Sequence, residues 1–168
     1  DYETAVLAGD ALQALAFELA ANEAVSPKAE VRATLALELA RAAGAQGMVL
    51  GQALDMAADK SDTPFDLSQI TALQEGKTGA LFGWSAQAGA RMAEADTTPW
   101  ETYAKGIGLA FQIWDDVLDI EGDAAVVGKA VGKDHDAGKA TFVSLLGVDK
   151  AKARAHELVE QSCAALDP

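Results

Sequence analysis

Three aspartates punctuate an apolar run: Asp115, Asp116 and Asp119 follow Phe111, Gln112, Ile113 and Trp114 and bracket Val117 and Leu118. If the run is helical, the step from Asp115 to Asp119 puts both carboxylates on one face, a few ångströms apart. Like charges repel there, and the negative end of the helix dipole opposes each by about 0.3–1 kcal/mol. A hard divalent cation reverses each of these terms. Mg2+ in particular takes carboxylate oxygens and completes its shell with water and substrate phosphates. The bland alternative is a solvated helix end, but the apolar neighbours on both sides favour a site.

Cations follow the acids. Lys129, Lys133 and Lys139 each come directly after a glycine, and ammonium groups on glycine-rich backbone can wrap a phosphate with help from the amides. Acids that hold a cation, followed closely by lysines, describe a metal-bridged diphosphate site. A P-loop does not fit: Gly122 to Lys129 and Gly132 to Lys139 each carry one residue too many between the glycines, and Ala130 and Ala140 stand where Ser or Thr is needed. A further lysine lies upstream in Gly76-Lys77-Thr78-Gly79. Alone it reads as a snorkelling surface residue. The flanking glycines predict a local opening of the helix that frees a carbonyl beside the cationic head. Gly47, Gly51, Gln52 and Asp55 read as helix packing plus one polar contact toward a neighbouring site. His135 and His156 lack partners at metal or triad spacing and read as ordinary exposed residues.

Helices must position these groups. Leu and Ala dominate, β-branched residues are sparse, and apolar residues recur at three and four positions, so the fold class is all-α. A chain of 168 residues is expected to form one domain. The pattern predicts a mostly buried helix over 2–22, with Gly9 admitting a close neighbour. Ser26 and Pro27 should start a second helix that buries Val31, Leu35, Leu37 and Leu39 and fades near Gly44. A third is expected over 48–60. A fourth enters at Asp66 or Ser68 and runs on to about residue 95, with glycines marking close contacts or a kink. Pro99 opens the acid-bearing helix, which should end near Asp119. Residues 121–139 read as loop, and a single helix is expected from Thr141 to Leu166.

Net charge of −13 argues against nucleic acid and anionic membranes as partners, because it repels phosphate backbones. Cys163 is the single cysteine and can form no internal disulfide, which makes a cytoplasmic location the default. No stretch approaches the roughly 20 uninterrupted apolar residues of a membrane span, and no basic leader precedes an apolar segment.

Five segments, taken in order, resemble the trans-prenyl diphosphate synthases across essentially the whole chain. They are Gly9-Asp10-Ala11-Leu12, Gly47 through Asp55, Lys77-Thr78-Gly79-Ala80-Leu81, Phe111-Gln112 through Asp119, and Gly128-Lys129 through Thr141. The likeness is to the short-chain farnesyl diphosphate synthases in particular. It implies an isoprenoid synthase-type helical bundle around a deep cavity, in which Mg2+ bridges an allylic diphosphate to two acidic motifs. Asp115, Asp116 and Asp119 match the second of these motifs. By the same resemblance Lys77, Thr78 and Gln112 are catalytic and, with Phe111, Lys129 and Lys139, bind the diphosphate, while Lys133 and Asp134 match a loop that closes over it.

The implied reaction ionises dimethylallyl or geranyl diphosphate, adds isopentenyl diphosphate to the cation and expels a proton, in a homodimeric enzyme. Geranyl or geranylgeranyl diphosphate are alternative products. The family's first acidic motif would lie before Asp1 and its last helix after Pro168, so the resemblance implies a partial domain over 1–168 with impaired activity. A class I terpene cyclase would carry an Asn/Asp-x-x-Ser/Thr-x-x-x-Glu motif, which this sequence lacks. In a non-catalytic synthase-like subunit the acids and lysines would be eroded.

Overall fold

The computed structural model describes residues 1–61, 63, 65–122 and 141–167. Among these the chain is helical, with no strand: α1 (Tyr2–Ala21), α2 (Ala29–Ala43), α3 (Met48–Ala58), α4 (Leu67–Gln74), a π-helical segment (Glu75–Gly79), α5 (Ala80–Met92), α6 (Thr98–Glu121), α7 (Phe142–Leu146) and α8 (Val148–Ala164). The loop lysines Lys129, Lys133 and Lys139, with Asp134 and His135, lie outside the described residues.

Two apolar clusters fix the arrangement. In one, Ile113 and Val117 of α6 pack with Phe142 and Val143 of α7 and with Ala155 and Leu158 of α8. Full burial of a side chain such as Ile113 stabilises by about 2–3 kcal/mol. At the crossing of α6 and α8, a Cβ added to Gly106 would collide with the Ser162 hydroxyl. In the other cluster, Leu35 and Leu39 of α2 meet Ala20 and Phe17 of α1 and Leu81 and Trp84 of α5. The Trp84 indole N–H donates to the Leu35 carbonyl at 3.0 Å, so burying the ring strands no donor.

Several helix boundaries follow the local chemistry. Asp66 caps α4 in a reciprocal capping box with Gln69. Pro99 sits in the first turn of α6, where Asp96 Oδ1 accepts from the Thr98 amide and hydroxyl. Those bonds hold the Asp96 carboxyl below its ordinary value.

Other expectations need correction. Ser26 does not cap α2. The helix starts at Ala29, while the Ser26 hydroxyl accepts from the Lys28 amide and its carbonyl takes the Arg32 guanidinium. Leu37 is exposed, because it points away from the stripe formed by Val31, Leu35 and Leu39. Helix α6 continues to Glu121. Residues 142–164 are not one helix: Gly147, at φ 80°, separates α7 from α8.

Helix α1 is the largest departure. Only Ala20 is buried, Leu7 and Leu12 are 68% and 66% exposed, and Gly9 meets nothing within 4 Å. Among the described residues α1 is also long and apolar enough, by length and composition, to cross a bilayer. It nevertheless carries Asp10 and Glu18, and a carboxylate at the centre of a bilayer costs about 2.5–3.5 kcal/mol. Its packing on α2 through Phe17 and Ala20 makes it a bundle helix with an open apolar face.

Candidate functional site

The π-helical segment falls where the glycines around Lys77 predict an opening. Its five residues, Glu75–Gly79, carry Lys77 and Thr78, and single π turns widen a helix in this way at functional sites. Its backbone lies against α3. A Cβ on Gly51 would intrude on the Lys77 backbone, and one on Gly76 would stand 3.2 Å from the Gly51 Cα. Two glycines therefore let the segments touch main chain to main chain. On that contact Lys77 Nζ donates to Asp55 Oδ2 at 2.7 Å, with the Asp55 side chain only 14% exposed. This ion pair supplies a polar contact of the kind expected of the Gly47–Asp55 segment. It takes one of the three ammonium donors and orients the others.

The other side of the π segment meets α6. A Cβ on Gly108 would lie 3.5 Å from the Gly79 Cα, and one turn further the Phe82 and Phe111 rings pack with centroids 5.4 Å apart. From Gly108 to Asp115 the helix rises about 10 Å. The cation-bearing turn therefore packs on the same helix that carries the acids two turns further on. Gln112 is half-buried between them, and Phe111 is 52% exposed, which leaves much of its ring open.

At the acidic end the three aspartates have different surroundings. Asp119 is buried, at 7% exposure, and Asp115 is half-buried. Both lie on the face expected from their spacing. Asp116 is about 100° round the helix, and its Oδ2 accepts from the Phe142 amide at 2.8 Å. Among the described residues no three acidic, His or Cys side chains converge as a metal-binding group. Two carboxylates still fit Mg2+, which completes its octahedron with water and phosphate oxygens. Lys152 pairs with Glu121 at 2.5 Å and ties α8 to this end of α6.

Sequence reasoning missed the Phe82 ring and the Phe142 amide. His156 is exposed, as its sequence context suggested, and its ring meets Trp114 edge-on with centroids 5.7 Å apart. A separate cavity of about 400 Å³ lies between α2, the π segment, α5 and α6, and Lys77, Thr78, Gln112 and the three aspartates do not line it. Most of its charged walls are paired: Arg41 with Glu38, Lys105 with Glu101, and Arg91 bonds Gln87. Glu101 raises the Lys105 ammonium above its usual range, by hydrogen bond first and charge second. Among the described residues the buried Gln74 Oε1, on the same wall, has no hydrogen-bond partner.

The chain is similar to several known proteins. A farnesyl diphosphate synthase of Haemophilus influenzae is 40% identical over 178 residues, covering 99% of this chain and 57% of that protein. The solved FPP/GFPP synthase of Zymomonas mobilis superposes with a TM-score of 0.84 at 49% identity, over 98% of this chain and 55% of that one. The geranyltransferase of Helicobacter pylori, solved with magnesium and isoprenyl diphosphate, gives a TM-score of 0.85 at 34% identity, over 99% and 55%. The chain thus spans a little over half the length of these relatives. The pattern of the polyprenyl synthetase family matches residues 1–166, and the chain belongs to that family.

Proposed function

We propose that the protein is a Mg2+-dependent prenyltransferase that joins isopentenyl diphosphate to dimethylallyl or geranyl diphosphate, giving farnesyl diphosphate, in the cytoplasm. The observation that carries this reading is that Lys77, oriented by Asp55, stands on a segment packed against α6 at Gly108, while Asp115 and Asp119 lie further along α6 itself, beyond Phe111 and Gln112. Asp115 and Asp119 would hold the metal, which supplies charge neutralisation for a diphosphate. Lys77 donates to the phosphate oxygens as the allylic C–O bond breaks and the electron pair leaves with the diphosphate. The Thr78 hydroxyl and the Gln112 amide orient the same group.

The exposed Phe111 ring and its Phe82 neighbour offer π-faces and apolar surface to the allylic cation and keep water from quenching it. The isopentenyl double bond then attacks that cation, a carbon–carbon bond forms, and a proton leaves to restore the alkene. Lys129 and Lys139 would reach the diphosphate, and Lys133 and Asp134 would close over it, on the strength of the sequence resemblance alone.

Incubation of the protein expressed from its complete coding sequence with isopentenyl diphosphate, geranyl diphosphate and Mg2+ should give a C15 product by chromatography. Asp115→Ala should cut turnover by about a hundredfold or more. Absence of any elongated product, or an unimpaired Asp115→Ala enzyme, would sink the assignment. A longer or shorter product would move it to geranylgeranyl or geranyl diphosphate. We also propose a homodimer in which the open face of α1, with Leu7, Leu12, Leu15 and Leu19 exposed, lies against a second copy. Sedimentation should show a dimer that Leu7→Glu with Leu12→Glu converts to monomer, and a monomeric wild type refutes it.

A further inference from the structure

The three aspartates divide their work, and we propose that Asp116 is a positioning residue: its carboxylate docks the first turn of α7 on α6 and so sets the turn carrying Asp115 and Asp119. The proposal rests on the prenyltransfer reading above. A short helix leaves its leading amides without partners inside the helix. In α7 the Thr141–Ser144 capping box takes the third amide, that of Ser144. The first, that of Phe142, is out of reach of that box and goes to Asp116 Oδ2 at 2.8 Å in a half-buried setting. A charge-assisted bond there is about twice as strong as a neutral one.

Register explains why the aspartate stands at this position. Ile113 and Val117, three residues before and one after it, enter the core against Val143 and against Phe142, whose amide its carboxylate receives. The bond and the apolar contact therefore fix one relative placement of α6 and α7. Asp115 and Asp119 lie on the neighbouring face, the one assigned to the metal in the prenyltransfer reading. Replacing the carboxylate by an amide keeps an acceptor for the Phe142 amide and removes the charge that a metal would need.

The test uses Asp116→Ala, Asp116→Asn and Asp115→Asn in the protein from the complete coding sequence. Three readouts apply: the Mg2+ concentration for half-maximal turnover, kcat, and hydrogen exchange at the Phe142 amide. Asp116→Ala should lower kcat and speed exchange, each by about tenfold or more. Asp116→Asn should recover most of both, with the Mg2+ half-saturation unmoved. Asp115→Asn should raise that half-saturation about tenfold and leave the exchange alone. If Asp116→Asn raises the Mg2+ requirement as far as Asp115→Asn does, or if Asp116→Ala leaves the amide protected, the proposal is overturned. A flat Mg2+ response in Asp115→Asn counts against the prenyltransfer reading, and the exchange data still decide the docking role.

Discussion

The two ends of the site are held in place by opposite means. The turn bearing Lys77 is set by missing atoms, since Gly51 and Gly76 bring backbone against backbone. The turn bearing the acids is set by atoms present, since Ile113 and Val117 interlock with Phe142, Val143 and Leu158. A contact made of glycine tolerates no added carbon, and a contact made of packed side chains tolerates no lost one. The cationic end should therefore fail by crowding and the acidic end by cavity formation.

Deleting atoms at the acidic end should give the largest effect. Ile113→Ala removes a fully buried side chain and should cost about 3–4 kcal/mol in chemical denaturation. A loss below about 1 kcal/mol would mean that α6 and α7 are not interlocked as described. Next comes crowding at the cationic end: Gly51→Ala should destabilise by about 2–3 kcal/mol and, under the proposed function, raise the KM for allylic diphosphate, because Lys77 must shift. A neutral Gly51→Ala would break the comparison at that end. Gly89→Ala is the internal control, an exposed glycine inside α5 with nothing within 4 Å. It should stabilise by about 0.5–1 kcal/mol.

The smallest effect concerns pH at the start of α6. The Asp96 carboxyl is depressed below 3.8 by its bonds from Thr98, so its contribution is present above the unfolded value and fades as pH falls through the folded one. Its NMR titration midpoint should lie below 3.8, and in Thr98→Ala, which removes the hydroxyl donor, the midpoint should rise toward that value.

How far the sequence was legible can be traced to individual residues. The Lys77 opening was readable because glycine on either side of a lysine, inside a helical pattern, has few structural uses. The Asp66 cap and the first-turn Pro99 were readable because capping chemistry is local. Gly147 was not, since an isolated glycine between apolar segments is also tolerated within a helix. The exposure of α1 was hidden for a different reason: periodicity reports that a face is apolar and is silent about what covers it. The split among the aspartates depended on Phe142, 26 residues beyond Asp116, and no local pattern connects the two.

Between Gln74 and Ala80 the chain takes a wider loop than a regular helix would, so α4 and α5 are out of phase by about one residue, or roughly 100°. Removing a single residue there would mend the ladder and rotate everything upstream against everything downstream. Ile70 and Leu73, now buried, would turn toward solvent, or Leu81 and Trp84 would leave their cluster. The irregularity thus works as a phase adjuster that lets one continuous rod satisfy two cores, and Lys77 sits at the only stretch of that rod where the phase changes.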